Sequence, residues 1–263
     1  MKRPTHTKGN QQPMPRLTLS IRIYLALVIV LAALGAVSVF LPQASLLSTR
    51  PEPAFPAPKL VIAAVNAGIM LVVYGGLGFL GLRLARRLGF ADLWSPAVTN
   101  QQRFTTPTLI GAATGVFFIL VDTILSQFHS FGPLPHPPFP TSLVASAAAG
   151  IGEEIIFRLF FISFWVWLLS YVVLKRRWQN QIFWVIAVIS ALAFAFGHLP
   201  SLMLFLDAAS ISGVPLALMV EIILLNGALS LLTAHYFRTY GFLAAVGIHF
   251  WADIVWHVLW GLF

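Results

Sequence analysis

Of the 263 residues, 59% are hydrophobic and 9% charged, against about a quarter charged in an ordinary soluble domain, which excludes a soluble globular enzyme. The absence of cysteine excludes a disulfide scaffold, thiolate metal sites and a cysteine nucleophile. The net charge of +8 is spread in short basic groups between apolar runs, a pattern that points to membrane lipids and insertion topology rather than to nucleic acid.

In chain order, residues 1–19 are polar, carry Lys2, Arg3, Lys8 and Arg16 and show no periodicity, so they read as a disordered cytoplasmic tail. The apolar run 20–41 has about the 20 residues a spanning helix needs and exceeds a signal-peptide core, so it reads as an uncleaved signal anchor. Further runs at 60–82, 107–128, 142–174, 181–199, 216–237 and 242–262 predict an all-α, polytopic transmembrane bundle of about seven spans. The run 142–174 is too long for one perpendicular crossing. Tilt, a break near Gly150 and Gly152, or continuation past the headgroups to Lys175 would each accommodate it. The connectors are Pro-rich or polar, as in FGPLPHPPFP at 131–140, and none forms an independent domain; no repeat of fixed period is present. The chain therefore divides into the tail 1–19, three N-terminal spans over 20–139 and a four-span core over 140–263.

Lys and Arg in connecting segments set the orientation. The N-terminal tail, then Arg83, Arg86, Arg87 and Arg103, then Lys175, Arg176 and Arg177, and finally Arg238 fall on one side, while the other side has only Arg50 and Lys59. This places the N-terminus in the cytoplasm and the C-terminus outside. The expected location is a bacterial cytoplasmic membrane, with membrane lipids as the surrounding partners.

In so apolar a chain, ionisable groups inside the runs are informative, because each costs roughly 2.5 to 3.5 kcal/mol to insert. They are Asp122, Glu153, Glu154, Arg158, Glu221 and Asp253, with His198 and His249. Glu154 and Arg158 stand at i and i+4 with the acid first, the favoured order for an ion pair, while Glu153 is rotated by about 100°. Arg158 can then neutralise Glu154 and leave Glu153 facing a cavity as a general base. The alternative is one buried ionic knot that only fixes packing. Phe194 lies one turn before His198, and His249 and Asp253 are again i and i+4. Each of these pairs also has a bland reading, as a satisfied interfacial histidine or a local hydrogen bond. Asp122 and Glu221 are expected to pair with interior polar groups such as Asn226, and His129 and His136 to lie in an outer loop.

Three sparse polar patterns in consecutive order, EEIIFR, FAFGH and HFWAD, resemble the CPBP family, also called the CAAX protease and bacteriocin-processing or Abi family, with its E-E-x-x-x-R, F-x-x-x-H and H-x-x-x-N/D. The stretch YFRTYGFLAAVGIH is also similar, and the resemblance covers roughly 140–257. It implies an intramembrane glutamic endopeptidase that uses no metal or other cofactor. Glu153 matches the base that activates water, His198 its partner, His249 with Asp253 the oxyanion-stabilising pair, and Glu154 and Arg158 the supporting residues, with Phe194 beside His198. Well-described members have Asn where this chain has Asp253. An ionised carboxylate cannot donate to an oxyanion, so Asp253 is either protonated there or orients His249.

Two rival readings stay open. Glu153, His198, His249, Asp253 and His257 make a nitrogen and oxygen ligand set for zinc, although no H-E-x-x-H is present. A membrane scaffold, immunity or transport protein could use the same polar core without cleaving anything. The expected partner in the protease reading is a peptide or membrane-protein substrate, lipidated or not. Prenylated tails, bacteriocin-like peptides and membrane proteins all remain open, and a short CAAX tail would need a cytoplasmic opening.

Overall fold

The computed structural model describes residues 16–42, 57–205 and 210–263. Among the described residues seven helices are long and apolar enough to cross a membrane: Leu19–Phe40 (span 1), Lys59–Arg87 (span 2), Gln101–Phe128 (span 3), Thr141–Val173 (span 4), Gln179–Met203 (span 5), Leu216–Tyr240 (span 6) and Phe242–Leu262 (span 7). Among the described residues there is no strand. Lipid cannot hydrogen bond to the backbone, so each apolar run closes its own ladder as a helix. The protein is a multi-pass, all-α membrane protein. Residues such as Leu60, Val72 and Leu109, 74%, 75% and 66% exposed, are therefore lipid-facing rather than misplaced core.

Two boundaries differ from the sequence expectation. The first helix already starts at Arg16; the disordered-tail reading for residues 1–15 falls outside the described residues. Span 4 is not broken at Gly150 or Gly152. The helix Thr141–Glu154 runs through both glycines, and the chain then takes a wider, π-helical path over Ile155–Ile162 and again over Trp167–Val173. The glycines serve close packing instead: a Cβ on Gly150 would lie 3.2 Å from the backbone nitrogen of Phe250 in span 7.

Span 3 and span 7 pack together through the same device. Gly111 and Gly115, one turn apart, turn their bare faces to Ile248, Trp251, Ala252 and Val255. A Cβ on Gly115 would sit 2.7 Å from the Ala252 carbonyl oxygen, so only glycine lets these backbones approach. This fixes span 7 and with it His249 and Asp253. A buried apolar cluster joins the same helices to span 6 through Phe118, Leu225, Leu229, Ile248 and Trp256.

The cation-bearing end of the bundle is closed by polar contacts. Asp92 accepts from Ser20 Oγ and from Arg86 Nε, both at 3.0 Å. Arg103 Nη2 donates to the Ser95 and Val98 carbonyls at 2.6 and 2.9 Å, while its guanidinium lies 4.1 Å from the Trp94 ring centre. Below this layer Phe90 packs edge-on against Phe183 and Phe237. Spans 6 and 7 meet at Gly241, whose φ of +91° favours glycine.

Candidate active site

Span 4 delivers Glu153 and Glu154 at the point where its α-helix passes into the π-helical stretch, a local widening common at functional positions. The side chains of Glu154 and Arg158 are completely buried, with Arg158 Nε 3.3 Å from Glu154 Oε2. Arg158 also places its guanidinium carbon 4.8 Å from the centre of the Phe194 ring. A charge so far from water is tolerable only with compensation of this kind. Glu153, one residue earlier, keeps 35% of its side chain exposed and faces a cavity.

Span 5 delivers His198 at a helix interruption. The helix Gln179–Gly197 stops one residue before His198, and Leu199–Phe205 starts a new one. Pro200 explains the stop, since it has no N–H to continue the ladder and disfavours a helical residue before it. The His198 Nδ1 nitrogen donates to the Phe194 carbonyl oxygen at 2.8 Å. With that tautomer, Nε2 keeps a lone pair. Phe194, 1% exposed, is the hub of the site: its ring stands edge-on to His198, His249 and Phe157 at 4.9, 5.9 and 5.1 Å.

Span 7 delivers His249 and Asp253, and Asp253 again ends an α-helical segment before the π-helical Ile254–Leu259. His249 Nδ1 hydrogen bonds to Glu154 Oε1 at 2.8 Å. Its Nε2 stands 3.6 Å from both Glu153 Oε2 and Asp253 Oδ2. Those separations are too long for direct hydrogen bonds. Glu153, Phe194, His198, His249 and Asp253 line one cavity of about 560 Å³, whose walls are otherwise mainly apolar. Apolar walls of this kind lower the local dielectric and strengthen the electrostatic contacts among these groups.

Residues 135–255 match the family model described as Type II CAAX prenyl endopeptidase Rce1-like. The match over this segment is to the CPBP/CAAX protease family. No curated protein and no solved structure matches the chain. The CAAX-protease segment takes in EEIIFR, FAFGH and HFWAD together, and its family is one of intramembrane proteases. Its first residues, Pro135 and Pro137, belong to the connector that roofs the cavity.

The arrangement adds contacts that helical spacing could not reveal. Glu154 is shared between Arg158 and His249, whereas sequence spacing gave it Arg158 alone. The orientation of His249 that the sequence offered to Asp253 comes from Glu154 through Nδ1. Asn226 is not the partner of Glu221: its Nδ2 donates to the Ile222 carbonyl at 2.9 Å, and the residue lines the cavity. Glu221 instead holds His129 Nε2 at 3.0 Å, both side chains fully buried, and a spacing five residues off the helical face explains why Asn226 cannot reach it. Asp122 accepts from the backbone N–H of Leu134 at 2.9 Å. His129 and His136 do lie in the connector between spans 3 and 4, but they fold inward, with His136 Nδ1 3.1 Å from His257 Nδ1. His257, a candidate ligand in the zinc reading, is thus engaged with the connector. Among the described residues no three His, Cys, Asp or Glu side chains are grouped so as to hold a metal ion.

Proposed function

We propose that this chain is an intramembrane endopeptidase of a bacterial cytoplasmic membrane, in which Glu153 activates water, without a metal, to cleave a peptide bond of a membrane-associated or lipidated protein. The observation that carries this reading is the division between the two adjacent glutamates. Glu154 is buried and occupied by Arg158 and His249, while Glu153 is part-exposed in a cavity that also holds His198. A packing knot has no use for a carboxylate held open in this way.

In the reaction, the Glu153 carboxylate takes a proton from water as the water oxygen adds to the peptide carbonyl carbon. The lone pair on His198 Nε2 accepts the second water hydrogen and aims the nucleophile. The carbonyl oxygen becomes an oxyanion, which accepts from the Nε2–H of His249 in its imidazolium form, held in place by Glu154. Because Glu154 already orients His249, Asp253 stands beside Nε2 as a second group at the oxyanion, a donor there only when protonated. Glu153 then passes its proton to the amide nitrogen as the C–N bond breaks, leaving a new carboxyl group and a new amine.

The test is a comparison of newly formed protein termini in cells carrying wild-type protein or Glu153→Gln. Termini present only with wild type support an enzyme. Identical termini, with both proteins folded and inserted to the same level, favour a non-catalytic membrane protein.

A further inference from the structure

The cavity belongs to one end of the bundle. Its roof is Leu134, Pro135 and Pro137 of the connector between spans 3 and 4. Its remaining walls come from Phe118 of span 3, residues 145–153 of span 4, the end of span 5, the first half of span 6 and residues 249–257 of span 7. Glu153 lies about 18 Å along the helix from Thr141, at 1.5 Å per residue. The opposite end contributes nothing to the lining and is sealed by the Asp92 and Arg103 contacts and the Phe90 cluster.

The two ends differ sharply in charge. No Lys or Arg occurs from 104 to 157 or from 178 to 237, which covers both connectors at the cavity end that join spans 3 to 4 and 5 to 6. Among the described residues the sealed end carries Arg83, Arg86, Arg87, Arg103, Lys175–Arg177 and Arg238, against Lys59 alone at the other. Positively charged segments stay on the cytoplasmic side during insertion, so the cavity faces outward.

Span 5 packs on span 4 along residues 155–173, whereas Thr141–Glu154 packs on spans 1 and 7. Between that outer segment and residues 198–202 the wall consists of small side chains, Ala145, Ser146, Ala149 and Ser201, and Ala145 and Ser201 are exposed. Among the described residues no Lys or Arg lines the cavity: Arg158 is buried behind it, against Glu154. A substrate's terminal carboxylate would meet Glu153 and Asp253 there, while the His249 imidazolium is already engaged by Glu154.

We propose that the cavity takes an internal, apolar and extended segment of a membrane-tethered protein, which reaches Glu153 laterally from the extracytoplasmic half of the bilayer, between residues 141–154 and 198–202. This rests on the peptidase reading above and restricts its substrates. A cytoplasmic C-terminal tail with its carboxylate a few residues from the cut meets the sealed, cationic end and is excluded.

The native chain has no cysteine, so single replacements report access directly. Ala145→Cys and Ser201→Cys should react with a membrane-impermeant maleimide added to intact cells. Ala97→Cys, exposed at the other end, should react only after permeabilisation. The reverse pattern overturns the proposal whether or not the protein is a protease. The termini that depend on Glu153 should fall in extracytoplasmic, membrane-proximal segments away from chain ends, and maleimide on Ala145→Cys should reduce their formation at least tenfold. Glu153-dependent cuts in cytoplasmic tails would overturn the outward-facing assignment while leaving the peptidase reading intact. Absence of any Glu153-dependent cut, with the outward labelling as expected, would overturn the peptidase reading and the substrate assignment that rests on it.

Discussion

Replacing Glu154 and Glu153 one at a time by glutamine should give opposite phenotypes from an identical chemical change. Glu154 has no exposed side-chain surface, lies 3.3 Å from a fully buried guanidinium and accepts a 2.8 Å bond from His249. Neutralising it leaves Arg158 buried and unpaired, a loss of about 3 to 5 kcal/mol. At about 2 to 4 °C per kcal/mol for a chain of this size, the melting temperature should fall by about 6 to 20 °C. Glu153 is 35% exposed and has no partner closer than the 3.6 Å of His249 Nε2, so its replacement should cost no more than about 0.5 kcal/mol, as at most open positions. The assay is thermal denaturation of both variants in one detergent, followed by size-exclusion chromatography, with cleavage measured on the surviving monomer. Equal melting shifts for the two variants would refute the division of labour between the glutamates. So would a Glu153→Gln protein that is the less stable of the pair.

Three further outcomes follow from other parts of the molecule. Gly115→Val should separate spans 3 and 7, because even its Cβ would meet the Ala252 carbonyl at 2.7 Å; an overpacking loss of about 1 to 3 kcal/mol and reduced cleavage are expected, while Gly76→Ala, with open space around it, should be neutral in the same melting and cleavage assays. His136 lies outside the spans, and burial lowers its pKa from 6.5, partly offset by the negative charge of Asp122. Its native form therefore resists protonation, so its contribution to stability is present above pH 6.5 and declines as the pH falls below that value; melting curves from pH 7.5 to 5 should show the decline, and His136→Phe should lessen it. Exhaustive chelation should leave peptidase activity unchanged, with no stoichiometric zinc by elemental analysis, whereas activity lost on chelation and restored by zinc would establish a metalloprotease.

The spans, and which polar residues share one cavity, were legible in the sequence because lipid punishes both errors at once: a polar residue in an apolar run must have a use or a partner, and an apolar run of sufficient length has nowhere else to go. Glu153, His198 and His249 stood out for that reason. What could not be read was lateral. The bond from His249 to Glu154 joins residues 95 apart, and that from His129 to Glu221 joins residues 92 apart; helical spacing carries no information about either. The sequence suggested an interior polar partner for Glu221 but named Asn226 where the structure has His129, and among its options for the long span 4 it included a break at the glycines, whereas the irregularity lies beyond them, from Ile155 onward. Gly111 and Gly115 show the signal that was available: small residues one turn apart mark where another helix comes close. The roof connector was recognised as Pro-rich but not as part of the site, since inward-folded histidines depend on acids in other helices.

The most direct test of Glu153 as the water-activating base is single-turnover cleavage in proteoliposomes, using a peptide that spans a Glu153-dependent cut identified in cells. Wild type and Glu153→Gln would be compared at matched insertion and matched melting temperature. Loss of a general base predicts a rate lowered by about 10²- to 10⁴-fold, with peptide binding retained. A Glu153→Gln protein that cleaves the same bond within threefold of the wild-type rate would contradict the assignment of Glu153.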